Sequence, residues 1–172
     1  MEIKVTLSEA GIDKAIRELE QYERQVEDRC QRLVDRLVQM GIPIARANFS
    51  SAQYDGTNDV TVRSETDGTY TAIVAEGNAV LFIEFGTGVY YAEAHPEAGV
   101  LGMERGTYGQ GRGSRRSWRY YGDPGTNGEE VKTNDKGVLV QTHGNPANRS
   151  LYDTGKYLES VVRQAAREVF KA

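Results

Sequence analysis

Residues 2–7 (Glu-Ile-Lys-Val-Thr-Leu) alternate polar and apolar, the two-residue period of a short strand. Ser8 is placed as the N-cap of a helix, with Glu9 in its first turn, where the helix dipole favours an anion. Apolar residues then recur at Ile12, Ala15, Ile16, Leu19, Tyr22, Val26, Cys30, Leu33, Val34, Leu37 and Val38. That is one stripe at helical spacing over about 30 residues, or roughly 45 Å at 1.5 Å per residue. Gly41 and Pro43 are expected to kink or end this helix, with Ile44 to Phe49 able to continue it for a further turn or two. A helix longer than about 25 residues in so small a domain points to packing against other chains.

The period changes to two at residues 59–63 and, after an Asp67-Gly68 turn, again at 70–75. Gly77-Asn78 reads as a second turn into Val80–Phe85, which is apolar on both faces apart from Glu84 and is predicted as a central strand. Three strands joined by tight turns make an antiparallel meander. Residues 86–137 hold most of the 19 glycines and little periodicity. A connection of that length is either functional or disordered. Within and beside it, residues 117–121 and 137–142 are predicted to pair as a long hairpin. Asn145-Pro146 ends the second of these strands, and Ser150 with Asp153 resembles a capping box. Leu151, Leu158, Val161, Val162, Ala165, Val169 and Phe170 then give a second amphipathic helix. The expected fold is one α+β domain over residues 1–172. A long N-terminal helix and a C-terminal helix pack on an antiparallel β-sheet, with a long Gly-rich arm inserted at about 86–137.

Composition narrows the function classes. The net charge of −4 argues against a general nucleic-acid coat. One cysteine, Cys30, excludes an internal disulfide and a cysteine-rich zinc site; its place on the apolar stripe predicts an inert core thiol. No stretch reaches the roughly 20 apolar residues of a membrane span. Residues 1–5 lack the pattern of a signal peptide, so the chain is read as cytoplasmic when made. Ten tyrosines against four Phe and one Trp suit half-buried positions and subunit contacts.

Catalysis needs converging groups, and the sequence offers few. His95 and His143 are the only histidines, and His95-Pro96-Glu97 lacks the helical i, i+4 spacing of metalloprotease ligands. Glu84 is the one odd carboxylate, in an apolar run. It suits either a catalytic acid with a raised pKa or, preferably, a partner for an arginine on another element or subunit. The glycines from Gly106 to Gly113 lack the Lys-Ser/Thr ending of a phosphate loop. Arg105, Arg112, Arg115, Arg116 and Arg119 follow one another with no acid between them. They are read as a solvated loop or an inter-subunit contact, with DNA contact as the alternative. No catalytic residue, cofactor or metal is assigned.

Four segments carry a resemblance: residues 52–60 (Ala-Gln-Tyr-Asp-Gly-Thr-Asn-Asp-Val), 82–88 (Phe-Ile-Glu-Phe-Gly-Thr-Gly), 118–121 (Trp-Arg-Tyr-Tyr) and 142–148 (Thr-His-Gly-Asn-Pro-Ala-Asn). From about residue 10 onward the chain resembles a phage tail-component family, the neck or tail-connector proteins of long-tailed phages and of prophages in Gram-positive bacteria. The most specific segments are Glu84-Phe85-Gly86-Thr87-Gly88 and His143-Gly144-Asn145-Pro146-Ala147; with Trp118 they look like fold and assembly signatures. Many relatives carry an Ala-Pro-x-x-Thr-Gly type segment after the first helix. Here Ile42-Pro43 and Tyr54-Asp55-Gly56 occupy that region, so the fit is to a sub-branch. The resemblance implies a non-enzymatic virion protein that assembles as a homo-oligomeric ring at the head–tail junction or the top of the tail. Its partners would be other neck and tail proteins, with non-specific contact to DNA passing through the ring and none to membrane. Two alternatives differ in class: a DNA-binding accessory protein using Arg105–Arg119, and a small hydrolase using Glu84 and His143.

Overall fold

The computed structural model describes residues 6–68, 70–90, 94–104, 106–109 and 115–171. The chain is α+β, as the periodicities predict. Helix α1 spans Glu9–Ser50, 42 residues. Ser8 caps it, its Oγ accepting from the Gly11 N–H at 3.2 Å. Of the strand expected at residues 2–7, positions 2–5 lie outside the described residues, and Thr6 and Leu7 are not in a strand.

Neither Gly41 nor Pro43 ends α1. Pro43 removes one backbone hydrogen bond, but the turns beyond it carry Ala45 and Phe49, at 0% and 2% exposure among the most buried side chains of the core. Gly41 is kept small by its neighbours. A Cβ there would collide with Ile73 and sit 3.0 Å from Leu158 Cδ1. A glycine that lowers helix propensity here lets a strand and a second helix approach.

Strands β1 (Thr61–Thr66) and β2 (Thr71–Glu76) form the predicted hairpin, in register from Thr61 opposite Glu76 to Thr66 opposite Thr71. Arg46 of α1 reaches β1 through Nε and Nη2, both donating to the Val62 carbonyl at 3.2 and 2.9 Å. The predicted third strand does not exist. Val80–Phe85 is a short helix, α2, so the meander reduces to a two-stranded sheet. Five apolar residues and one glutamate fit either structure, and Asp59 holds the turn that leads into the helix. Its Oδ2 accepts from the Asn78 N–H at 2.9 Å and its Oδ1 from the Ala79 N–H at 2.9 Å, capping α2 from 20 residues upstream.

The segment 86–137 is not one irregular arm. After a 3-10 turn at Gly88–Tyr90 it holds β3 (Trp118–Tyr121) and β4 (Glu129–Asn134). With β5 (Gly137–Thr142) these form a second antiparallel sheet in the order β3-β5-β4. The expected pairing of 117–121 with 137–142 is present, Trp118 opposite Thr142 and Tyr121 opposite Leu139. β4 fills the space between them in sequence and pairs with the other edge of β5.

Helix α3 (Ser150–Lys171) runs back along α1. Asn48 Nδ2 donates to the Ser150 carbonyl and to Thr154 Oγ1, both at 3.2 Å, and Arg36 meets Glu168 at 2.8 Å. Near the far end, Arg29 Nη1 donates to the Phe170 carbonyl at 3.5 Å. The two helices are therefore antiparallel, and α3 ends level with about residue 29 of α1. Cys30, predicted in the core, is exposed, while its neighbours Val26, Arg29 and Leu33 are half-buried, so Cys30 lies off the side of α1 that is covered. The core lies lower, where Ala45, Phe49 and Ala52 meet Val62, Ala79 and Ile83.

Candidate functional site

The four segments singled out in the sequence come together around the C-terminal end of α2. A helix leaves its last carbonyls without intrahelical partners, and here the chain leading into α3 supplies them. The Phe82 carbonyl accepts from Asn145 Nδ2 at 2.9 Å, Ile83 from the Asn148 N–H at 2.8 Å, and Glu84 from the Arg149 N–H at 3.2 Å. Thr87 and Asn145 then exchange three bonds. The Thr87 N–H donates to the Asn145 carbonyl at 2.8 Å, and its Oγ1 to Asn145 Oδ1 at 2.7 Å. In return the Asn145 N–H donates to Thr87 Oγ1 at 3.0 Å. Asn145 is 1% exposed, so these bonds are shielded from water.

Two glycines permit this contact. Gly86 has φ 80°, and a Cβ on it would stand 2.7 Å from the Ala147 nitrogen; Gly144 has φ 93°, and a Cβ would run into the Thr87 carbonyl. The Tyr108 hydroxyl donates to the Gly86 carbonyl at 2.7 Å, closing the joint from the long insertion. Segment 52–60 joins from the other side, where Asp55 Oδ2 accepts from Thr142 Oγ1 and Asp55 Oδ1 from the Asn127 N–H at 3.1 Å. Trp118 lies beside Gly88, where a Cβ would be 3.0 Å from Trp118 Cζ3.

Glu84 has a different partner from the one expected. It is 5% exposed and faces the first turn of α3, not an arginine. Oε2 accepts from the Leu151 N–H at 2.9 Å and Oε1 from the Tyr152 N–H at 3.0 Å. A carboxylate at a helix N-terminus satisfies orphan donors and complements the dipole. The predicted capping box is therefore not formed. Ser150 is the first residue of α3, its Oγ takes Asn148 Nδ2 at 2.7 Å, and the Asp153 N–H bonds the Arg149 carbonyl at 2.8 Å.

His95, which the sequence offers only as a poor metal ligand, completes this joint. Its Nε2 lies 3.3 Å from Glu84 Oε1. Its Nδ1 accepts from the Glu97 N–H at 3.2 Å, which leaves the ring proton on Nε2, pointing at the carboxylate. The imidazole is 6% exposed and packs against Phe85 at 4.3 Å and Tyr152 at 5.5 Å between ring centroids. Both nitrogens and both carboxylate oxygens are engaged. Surrounded by Pro and Gly, His95 has no periodicity that would reveal its burial. Glu84 and His143, the pair invoked by the hydrolase alternative, are not joined; His143 is exposed, with Nδ1 3.2 Å from the Arg116 carbonyl.

Of the arginines, Arg105 and Arg112 lie outside the described residues. Arg115 and Arg119 line an open cleft of about 590 Å³ with Tyr54, Phe82, Trp118 and Tyr120. Arg119 also donates from Nε and Nη2 to Gln141 Oε1 across the sheet, both at 3.1 Å. In the cleft wall the Tyr120 phenol is pushed up to about 12, by burial first and then by the negative charge of Asp55. Burial likewise raises Tyr54, with Asp59 and Asp55 adding to it. Asp59 is held below the usual carboxylate range by the Asn78 and Ala79 N–H groups it accepts.

Among the described residues, no group of three His, Cys, Asp or Glu side chains is placed to hold a metal ion. No helix among them is long and apolar enough to cross a membrane. Comparison with family models, with curated proteins and with solved structures found no match in any of the three.

Proposed function

We propose that this chain is a structural subunit of a phage or prophage neck or tail, acting by assembly into a ring at the head–tail junction or the top of the tail. The observation that carries this reading is the mismatch between α1 and the body it serves. The helix has 42 residues, and α3 accompanies it only from about residue 29 onward. Ahead of that point Ile12, Ile16, Leu19 and Tyr22 are 46, 48, 54 and 45% exposed. Side chains of this size at helical spacing suit burial by another chain. The segments that carry the family resemblance supply the second support. Their polar atoms are spent on one another and on helix ends, which fits signatures of fold and assembly. Negative-stain microscopy with a mass measurement tests the reading. Closed rings, alone or on a docking partner, are the expected result. Monomer at high concentration that never enters particles overturns it.

A second reading draws on Arg115 and Arg119, which share a cleft wall with three aromatic rings besides Tyr54. Guanidinium groups beside aromatic faces suit single-stranded nucleic acid. Retention on DNA that falls steeply with salt, and is lost in Arg115→Ala with Arg119→Ala, would favour this accessory role.

A further inference from the structure

The exposed stripe has a counterpart on the same molecule. Val34, Leu37 and Val38 of α1, Ile73 of β2, and Leu151 and Leu158 of α3 line an open groove of about 420 Å³. All six side chains are half-buried, and Thr71 and Thr154 complete a mainly apolar lining. Gly155 lies at its edge on α3, exposed, and a Cβ there would meet nothing within 4 Å. Stripe and groove cannot meet within one copy. Both belong partly to α1, and Leu19 is separated from Val34 by 15 residues of continuous helix, roughly 22 Å.

We infer that the N-terminal part of α1 in one copy lies in the groove between α1, β2 and α3 of the next. Resting on the ring reading, this gives the contact by which the ring closes. Two different faces meet, so the interface is heterologous, the type that generates rings when the rotation closes. Its size is adequate. Ile12, Ile16, Leu19 and Tyr22 are 45–54% exposed and, with Leu7 just ahead of the helix at 96%, offer roughly 500 Å² of apolar surface. A standard interface buries about 800 Å² per partner, roughly 60% of it nonpolar. An isologous pairing of two stripes would instead make a closed dimer and leave both grooves empty.

Two substitutions test the contact from opposite sides without touching the core. Leu19→Asp alters an exposed stripe residue. Gly155→Leu fills the groove edge while raising helix propensity, so its thermal midpoint should not fall below that of the wild type. Each is expected to weaken self-association at least tenfold in sedimentation. A third experiment fixes the geometry. In a Cys30→Ser background, mixed Leu19→Cys and Thr71→Cys proteins should cross-link with each other more readily than either does with itself. Preferential Leu19→Cys homodimers, or oligomers of wild-type strength in both Leu19→Asp and Gly155→Leu, overturn the inference and leave the ring reading standing. A wild-type chain that stays monomeric and outside particles removes the ring reading, and this contact with it.

Discussion

Glu84 on α2 caps α3 across the fold, its Oε2 accepting the Leu151 N–H at 2.9 Å while Oε1 takes the Tyr152 N–H and His95. An ionised carboxylate only accepts, and every neighbour here is a donor. Glu84→Gln keeps the shape but turns one acceptor into an NH₂ group facing N–H donors. It should destabilise the fold by roughly 2–3 kcal/mol, with Glu84→Ala at least as costly. Urea denaturation measures this, and an unchanged midpoint would contradict the capping role. A Glu84→Gln protein that folds and assembles normally but loses a hydrolytic activity of the wild type would move the case to the enzyme alternative.

The reciprocal bonds between Thr87 and Asn145 predict strong coupling. Thr87→Val and Asn145→Ala should each destabilise, by about 1–3 kcal/mol. The double mutant should cost less than their sum by about 1–2 kcal/mol, because either change alone already strands the other's partner. A double-mutant cycle that closes to within about 0.3 kcal/mol means the two residues act independently.

Glycine substitutions should have opposite signs at two positions. Gly86→Ala puts a Cβ 2.7 Å from the Ala147 nitrogen on a backbone at φ 80°, so a loss of roughly 2 kcal/mol or more is expected. Gly155→Ala adds a Cβ in open space within α3 and should gain about 0.5–1 kcal/mol. Thermal melts of the two variants rank the sites, and equal midpoints would remove the steric argument at Gly86.

Asp59 gives a pH dependence of definite sign. Its folded-state pKa is depressed below 3.8, chiefly by the Asn78 N–H and then by that of Ala79. The unfolded chain therefore binds the proton first as acid is added. The stabilisation is complete above the ordinary aspartate range and is lost as pH falls through the folded value. Thermal midpoints of Asp59→Asn and the wild type, followed from pH 6 to 2, should converge at the acid end. Parallel curves would show that the cap of α2 does not depend on the charge.

The elements legible in the sequence are those whose pattern is local. α1 and α3 each repeat an apolar period over many residues, and that period follows from the face each buries, while the β1–β2 hairpin is marked by short alternation around the Asp67-Gly68 turn. β4 was not legible because Glu129–Asn134 is exposed at every position; with no buried face it has no alternation, and its place comes from pairing with β5. Val80–Phe85 reads as a strand in the sequence because five apolar residues around one glutamate carry no period of their own. Asp59 before it and Asn145, Asn148 and Arg149 beyond it make it a helix. The same distance hid the role of Glu84. Its type and burial were apparent in the apolar run around it, but its partners, the first N–H groups of α3 and the His95 ring, lie up to 68 residues away. Periodicity likewise places Ile12, Ile16, Leu19 and Tyr22 on an apolar face without showing that α3 stops level with Arg29 and leaves them exposed. A stripe records which side of a helix avoids water, whereas what covers that side depends on how far its neighbours reach, and only the packed chain decides that.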